Sequence, residues 1–361
     1  MSLRTRGLAS CCLAAVAFTL VVACAKRGPR DVGNRALPSE LGAAAGAAAA
    51  RDVDAGPPRV VATPATMGLK PRPLVHVDAR ALATDATHVY FGDASDDTVC
   101  ALEKNPPEGA RVEPTRIARP APIAGALSVD SHDAALVWIA SPGDLVLRVP
   151  IGGGAPTIIR DRAIFTSVAA AGGDVFFTEA RGSGGVLTRV TGTTAAQLAT
   201  FEGAPRGLAV DTDDVYIATT SGLEAAPRSR GAVTELAGGR SFASPQVDSV
   251  WIYATAVDPK SRARALVRVQ KTGGPLETVA TDVRDAPIAI HRGIVYWFDA
   301  ARPALIASSP VDDRPATRAA RRVVSDDPTF ERVNALAVDD DGAFVATGSG
   351  EDARIVVVSI R

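Results

Sequence analysis

Short apolar runs and polar turns alternate along most of the chain, and their order repeats. In residues 207–220, GLAVDTDDVYIATT, an apolar run is followed by an acidic turn and then by a second apolar run that contains an aromatic residue. Degraded copies of this pattern begin at Ala81, Ala126, Ser167, Gly207, Ser244, Pro287 and Ala335. The seven copies start 37–48 residues apart, and a period of this length is typical of a repeat architecture.

Each copy contains strand-like runs and no helical period. A third apolar run follows a variable loop, as in VLRVP (146–150) and LVRVQ (266–270). Glycine pairs at 153–154 and 273–274 then suit tight turns that need positive φ, and a short fourth run follows. Four antiparallel strands per unit indicate a propeller blade. We therefore expect an all-β fold, a seven-bladed β-propeller.

The seventh unit reaches only its third strand, RIVVVSIR, at residues 354–361. A blade without its fourth strand would leave unpaired backbone groups at an edge. In the other units the fourth strand lies about nine residues before the next first strand, and the same spacing before the first unit falls on residues 74–77. We expect this N-terminal strand to complete the seventh blade and close the ring.

Aromatic residues concentrate at one position of the repeat. Phe, Trp and Tyr make up only 5% of the chain, yet every unit places one in its second strand. The fifth unit allows a second alignment that uses Tyr253 instead of Trp251. Aromatic side chains at one register of a middle strand fill the space between neighbouring sheets, so we interpret them as packing residues rather than as a ligand cage. The aligned residues are Tyr90, Trp138, Phe176, Tyr216, Trp251, Tyr296 and Phe344.

The segment PRGLAVDTDDVY (205–216) resembles the repeats of YWTD- and NHL-type β-propellers. It shares their Pro-x-Gly-Leu-Ala-Val-Asp start and their hydrophobic-aromatic second strand. The tetrads YWFD (296–299) and YFGD (90–93) are similar to YWTD itself. The resemblance covers about 280 residues and implies the propeller fold. YWTD propellers usually have six blades, whereas this sequence has seven copies.

A basic start and a short apolar run precede the repeats. Arg4 and Arg6 are followed by a mostly apolar run at 8–23, which is shorter than the roughly 20 residues that span a bilayer. This combination predicts a secretory signal peptide. The run ends in VVAC (21–24), which resembles the lipobox of bacterial lipoproteins. The resemblance implies that Cys24 carries a lipid such as palmitate; the alternative is an ordinary secretory signal followed by a chance cysteine.

The predicted division is a signal peptide (1–23), a tether (24–72) and a propeller domain (73–361). The tether is rich in Ala, Gly and Pro and contains no aromatic residue, so it cannot bury enough apolar surface to become ordered. Some 50 flexible residues span roughly 35–45 Å and would hold the propeller clear of a membrane. Ala25 is not the acidic residue of an inner-membrane retention signal, which favours the outer membrane of a bacterial envelope for a chain anchored at Cys24.

The net charge bears on the class of partner, and the cysteine content bears on disulfide bonds. The net charge is −1, and a protein that binds nucleic acid needs a basic surface. We therefore expect no nucleic-acid partner. Cys11 and Cys12 lie in the signal peptide, and Cys24 would carry the lipid, so only Cys100 remains and no internal disulfide is expected. Cys100 lies in an apolar run, which indicates a buried hydrophobic residue.

Acidic residues cluster in the turns between the first and second strands, which would all lie on one rim. We interpret them as solvated turns, because DDDG (339–342) lacks the Asp-x-Asp-x-Asp-Gly spacing and the distant Glu of a calcium loop. The residues are Asp85, Asp130, Asp133, Asp211, Asp213, Asp214, Asp339, Asp340 and Asp341.

The opposite rim carries carboxylates from several units. Propellers that resemble lactonases bind a divalent metal near the channel on that rim, so these residues are candidate ligands. The four histidines, His76, His88, His132 and His291, show no ligand spacing, and the sequence has no nucleophile motif or P-loop. The candidate ligands are Asp93, Glu179, Asp299 and Glu351, with Asp96, Asp97, Asp258 and Asp352 on the same rim.

A basic run falls on the outer strand of the sixth unit, at Arg314, Arg318, Arg321 and Arg322. Charge on an exposed strand protects it from pairing with other chains. An anionic partner in the envelope is the alternative interpretation.

Two functional hypotheses follow. The first is a non-catalytic binding or scaffold propeller without a cofactor, lipid-anchored on the outward side of a bacterial membrane, whose partner is an envelope protein or a glycan. The second is a metal-dependent hydrolase or lactonase with carboxylate ligands in the channel mouth. The shortage of histidines favours the first, because function must be argued from the site rather than from the fold.

Overall fold

The computed structural model describes residues 69–106, 112–119, 122–308 and 321–360. Within these ranges the chain forms 28 strands in seven four-stranded antiparallel sheets, so the predicted seven-bladed β-propeller is confirmed. The signal peptide, Cys24 and nearly all of the tether lie outside the described residues, as do Arg314 and Arg318. No helix in the described ranges is long and apolar enough to cross a membrane.

Six blades are each built from four consecutive strands that pair in chain order. Blade one has β2 (Ala79–Thr84), β3 (His88–Asp93), β4 (Thr98–Glu103) and β5 (Thr115–Ala118). Blade two has β6 (Ile123–Asp130), β7 (Ala135–Ala140), β8 (Leu145–Pro150) and β9 (Thr157–Asp161). Blade three has β10 (Phe165–Ala171), β11 (Asp174–Arg181), β12 (Gly184–Thr191) and β13 (Thr194–Glu202).

The next three blades follow the same plan. Blade four has β14 (Pro205–Val210), β15 (Asp214–Thr219), β16 (Gly222–Pro227) and β17 (Thr234–Gly238). Blade five has β18 (Ser241–Val247), β19 (Trp251–Val257), β20 (Arg264–Gln270) and β21 (Glu277–Thr281). Blade six has β22 (Ala289–His291), β23 (Ile294–Phe298), β24 (Ala304–Ser308) and β25 (Arg322–Asp326).

The seventh blade combines strands from the two ends of the domain. Its first three strands are β26 (Val333–Val338), β27 (Ala343–Thr347) and β28 (Arg354–Val358), and its outer strand is β1 (Arg72–His76). Strand β1 runs antiparallel to β28, with Arg72 opposite Val357 and His76 opposite Arg354. The predicted closure is therefore confirmed, with the closing strand beginning two residues earlier than expected. The first strands of neighbouring blades contact one another around the ring, and β2 contacts β26.

The hydrophobic core lies between the blades. Each cluster of buried residues combines the side chains of one blade with those of the next, as where Tyr216 and Ala218 of blade four pack with Ile252 and Ala254 of blade five. A fully buried aliphatic or aromatic side chain contributes about 1.5–3 kcal/mol. Cys100 is a buried free cysteine within this core, so the described domain is held together by packing rather than by disulfides.

The strand pairing puts five of the seven aligned aromatic residues at one register. In the other two blades a different residue occupies that position. In blade five, the backbone N–H of Asp248 donates to the carbonyl of Trp251 across the turn, so Tyr253 occupies the shared position. In blade two the turn has four residues, and Val137 occupies it instead. Trp138 therefore points the opposite way and packs against Tyr90 of blade one. The alignment on Trp138 was wrong by one residue, and in the fifth unit the second alignment, on Tyr253, is confirmed instead of the one on Trp251.

Candidate binding rim

The two ends of the ring carry different kinds of connection. One end, the turn rim, consists of the turns between first and second strands and the strand ends that flank them; the turns are at residues 85–87, 131–134, 172–173, 211–213, 248–250, 292–293 and 339–342. The other end, the loop rim, includes the loops between second and third strands, at residues 94–97, 141–144, 182–183, 220–221, 258–263, 299–303 and 348–353. The loop rim also includes the links between blades, such as residues 162–164, 203–204, 282–288 and 327–332.

Aspartate side chains hold the backbone of the turn rim in place. Asp85 accepts hydrogen bonds from the amides of Thr87 and His88, at 2.7 and 2.8 Å, and from the Tyr90 hydroxyl at 2.6 Å. This arrangement is an Asx turn, in which the carboxylate replaces a backbone acceptor. The structure thus corrects the interpretation for the first aspartate of such a turn, which is bonded within the protein, whereas Asp133, Asp213 and Asp340 are exposed as expected.

The same contacts recur in other blades. Asp211 accepts from the amide of Asp214 at 2.8 Å and from the Tyr216 hydroxyl at 2.9 Å. Asp248, which the sequence analysis did not single out, accepts from the amides of Val250 and Trp251, both at 2.7 Å. The sequence signal for Asp248 was its position five residues before Tyr253, the same spacing as Asp85 to Tyr90 and Asp211 to Tyr216, and the alignment of the fifth unit on Trp251 concealed it.

These contacts change the acidity of the turn aspartates. Burial alone would raise the pKa of Asp211, but the Lys271 ammonium, two backbone amides and the Tyr216 hydroxyl lower that pKa to about 2. The pKa of Asp85 is also lowered, because hydrogen bonds from Tyr90 and from backbone amides outweigh the effect of burial. Both carboxylates are thus ionised at neutral pH and bonded within the protein.

Cations from neighbouring blades complete the turn rim. Lys104, Arg228 and Lys271 each follow the third strand of a blade directly and reach back to the preceding blade. Lys271 lies 2.6 Å from Asp211, and Arg228 lies 3.1 Å from Asp174. Lys104 likewise contacts Asp339 of blade seven. The polar groups of the turn rim are therefore largely used to join blades.

The four candidate metal ligands lie on the loop rim but are bonded separately. Asp93 accepts from the Ser95 amide at 2.9 Å, Asp299 accepts from the Ala301 amide at 2.8 Å, and Glu351 is exposed. Glu179 is ion-paired with Arg181 at 2.7 Å. Across the described ranges, no group of three or more His, Cys, Asp or Glu side chains could hold a metal ion. The structure therefore does not bring these four carboxylates together.

The histidines are also spread over the ring. His291 lies 2.7 Å from Asp340, and His132 lies 2.7 Å from Asp133, both on the turn rim. His88 contacts Thr87 at the same rim, whereas His76 is exposed on the outer strand β1. These positions serve no common site.

The first strands bulge where they approach the loop rim. Their pairing with the second strands shifts register between Ala79 and Leu82, Ile123 and Leu127, Phe165 and Ser167, Pro205 and Gly207, Ala243 and Gln246, and Val333 and Ala335. Bulges are frequent at barrel rims, where they redirect side chains. Two of the bulged segments carry exposed arginines, Arg80 and Arg206.

A cleft of about 230 Å³ opens on the loop rim of blade seven. One wall is the link between blades six and seven, which contains a short 3₁₀ helix, Pro328–Glu331, anchored by the buried Phe330. Arg284 donates to the carbonyls of Phe330 and Glu331 and so fixes this helix. The other wall is the segment 347–354, and the Arg332 guanidinium bridges the two walls by donating to Ser349 Oγ at 2.6 Å.

Two buried polar atoms of the residues that line this cleft have no hydrogen-bond partner within the protein. Thr329 Oγ1 and Arg354 Nε are buried and make no hydrogen bond. Neither Arg332 nor Arg354 forms an ion pair with any carboxylate in the described part of the chain. Buried polar atoms without a hydrogen-bond partner are rare in folded proteins. No sequence motif marks the cleft, because its lining comes from the link before blade seven and from the segment 347–354.

Comparisons with known proteins agree on the fold and on nothing finer. No protein-family model matches the sequence, and no curated protein does. The hydrazine synthase of Kuenenia stuttgartiensis is similar in structure, with a TM-score of 0.60 and 12% identity over 84% of this chain and 99% of that chain. BamB from Moraxella catarrhalis has a TM-score of 0.54 and 14% identity over 81% of this chain and 98% of that one.

A third similar structure is the β-propeller domain of Cps50 (Swd1) from Myceliophteria thermophila, with a TM-score of 0.58 and 11% identity over 80% of this chain and 100% of that one. Identities this low show the propeller fold alone. The resemblance to YWTD- and NHL-type repeats therefore stays a prediction at the level of family.

Proposed function

We propose that the chain is an exported, lipid-anchored β-propeller that binds an envelope protein through its loop rim and catalyses no reaction. The observation that carries the proposal is the contrast between the two rims. The turn rim uses its carboxylates and cations to join blades. The loop rim exposes Arg206 and the apolar side chain of Ile164, which is 68% exposed, and it contains the cleft of blade seven.

The direction of β1 supports the loop rim as the binding surface. Arg72 pairs near the end of β28 that adjoins the turn rim, and His76 pairs with Arg354 beside the loop rim. The chain thus enters the propeller from the turn rim. A tether that joins the propeller at Arg72 would therefore be attached on the side of the turn rim and would not cover the loop rim.

The similar structures do not choose between functions. They include an oligogalacturonate lyase from Vibrio parahaemolyticus, a hydrazine synthase and BamB. One fold hosts many activities, so the site has to carry the argument. The loop-rim carboxylates that a metal-dependent hydrolase would need are tied to separate partners, such as Arg181 for Glu179. The proposal of a binding module rests on the exposed groups of that rim.

Site-specific photo-crosslinking in intact envelopes tests the proposal. A crosslinking residue at Ile164 or Arg206 samples the loop rim, and matched positions at Val250 and Thr212 sample the turn rim, where Val250 is also apolar and 51% exposed. We expect one protein adduct from the loop rim and none from the turn rim. Equal adducts from both rims, or a loop-rim adduct that a glycosidase removes, would contradict a protein partner on the loop rim.

A further inference from the structure

Arg354 is held rigidly at the cleft of blade seven. It lies in β28, opposite Thr347 on one side and His76 on the other, so strands fix its backbone on both sides. Its Nε is buried without a hydrogen-bond partner. The Nε and one terminal nitrogen of a guanidinium form two parallel donors that match the two oxygens of a carboxylate. A buried guanidinium donor without an acceptor is destabilising until an oxygen meets it.

The facing wall supplies two further donors. The Thr329 hydroxyl oxygen is buried and unpaired, and Arg332 is oriented by its hydrogen bond to Ser349. The amide of Gly348 donates to the carbonyl of Arg332 at 2.9 Å, which ties the two walls together. Two arginines and a threonine therefore line both sides of a cleft that is already formed.

The charges of the lining limit the class of ligand. Glu331 and Asp352 line the same cleft as the two arginines, so the lining is balanced overall. A single negative charge can meet the guanidinium groups, whereas a doubly charged phosphate would also face two carboxylates. The lining contains no aromatic side chain on which a sugar ring could stack.

We infer that this cleft binds one carboxylate group, presented by an acidic side chain or the C-terminus of the partner protein. The identity of the partner rests on the proposed function, and the carboxylate specificity rests on Arg354, Arg332 and Thr329 alone. The cleft is then the part of the loop rim that recognises a negative charge on the partner protein.

Acetate is the probe for the site itself. The full chain is labelled with ¹⁵N-arginine, and the Nε–H signal of Arg354 is followed by NMR during titration with acetate, acetamide and inorganic phosphate. We expect acetate to shift this signal and acetamide to leave it unchanged. Equal shifts with acetamide, tighter binding of phosphate, or no shift with acetate would overturn the inference.

Variants test which groups bind. Arg332→Gln and Thr329→Val should each weaken acetate binding, Arg332→Gln by about tenfold. Thr329→Val keeps the volume and charge of the cleft, so its effect does not depend on repacking. Arg302→Gln is the matched control, since Arg302 lies on the same rim and is ion-paired with Asp326 at 3.3 Å. A control that weakens binding as much as Arg332→Gln would contradict a specific site.

The crosslinking assay separates the inference from the proposed function. With Arg354→Gln, the adduct formed from Ile164 should fall about tenfold. An undiminished adduct, together with lost acetate binding, would refute the carboxylate of the partner and leave the loop-rim function standing. If the chain with its natural cleft gives no loop-rim adduct while acetate still binds, the proposed function fails and the small-anion site remains.

Discussion

The Nζ atom of Lys104 lies 2.5 Å from Oδ2 of Asp339, and this ion pair joins the first blade to the seventh. The lysine side chain is only 1% exposed, donates also to the carbonyl of Asp85, and lies 5.6 Å above the ring of Phe344. Removing a cation from water costs free energy, and contacts of this kind compensate for that cost. Among the ion pairs described, the one at the junction where the ring closes has the most buried cation.

Replacing Lys104 should weaken this junction. Lys104→Met leaves the carboxylate of Asp339 without its nearest cation, and breaking a buried pair costs about 3 kcal/mol. The free energy of unfolding in urea measures the loss. Arg292→Met is the control, because Arg292 pairs with Asp340 while 73% exposed, and exposed pairs contribute about 0–1 kcal/mol. Similar small losses in the two variants would contradict the role of Lys104 at the junction.

The closing strand should matter as much as any strand within the ring. Leu74 of β1 is buried against Phe91 of blade one and Phe344 of blade seven. Leu74→Asp puts a charge into that cluster and should cost about 3 kcal/mol or more. Thermal unfolding with light scattering would show a lower midpoint and earlier aggregation. Arg72→Asp changes an exposed residue of the same strand, and equal midpoints for the two variants would refute closure by β1.

A buried glutamate makes the stability depend on pH. Glu224 of β16 is only 8% exposed, and its Oε2 has no hydrogen-bond partner. Burial, and then the charges of Glu235 and Glu202, raise the pKa of Glu224 to about 7. Because the folded protein holds this proton more tightly than the unfolded chain, the free energy of unfolding should fall as the pH rises from about 4.5 through 7.

Glu224→Gln removes this dependence. The variant should be more stable than the natural protein by about 2–3 kcal/mol at pH 8 and nearly equal to it at pH 4. Urea unfolding at a series of pH values measures the difference. Glu103→Gln, an exposed glutamate on a third strand, should leave the pH profile unchanged. A Glu224→Gln profile parallel to that of the natural protein would show that the carboxyl is not held protonated.

The anchor can be tested through its cysteine. Cys24→Ser should abolish labelling with palmitate and release the protein from the membrane fraction, because no other group of the predicted mature chain carries a lipid. Cys12→Ser, within the predicted signal peptide, should change neither result. Separation of inner and outer membranes then tests the expected outer-membrane location. Unchanged membrane association of Cys24→Ser would end the lipoprotein interpretation.

The repeat made the fold predictable, because each blade has to bury the same faces. The position of β1 was predicted because the seventh unit lacks a fourth strand and the spacing of the other units indicates where that strand lies. The register failed where a turn changed length, as in blade two, where four turn residues put Val137 rather than Trp138 at the shared position. The cleft was not predictable, because Thr329 of the link before blade seven and Arg354 of strand β28 line it together only in the folded blade.

The pairing of β1 with β28 also has a kinetic consequence. These strands stand at opposite ends of the domain sequence, so their contact spans nearly all of it, and pairings of such long range form slowly. During synthesis β1 emerges first and must wait for the other six blades before it finds a partner. Any product shortened before β28 would keep β1 as an exposed strand, open to degradation or to self-association.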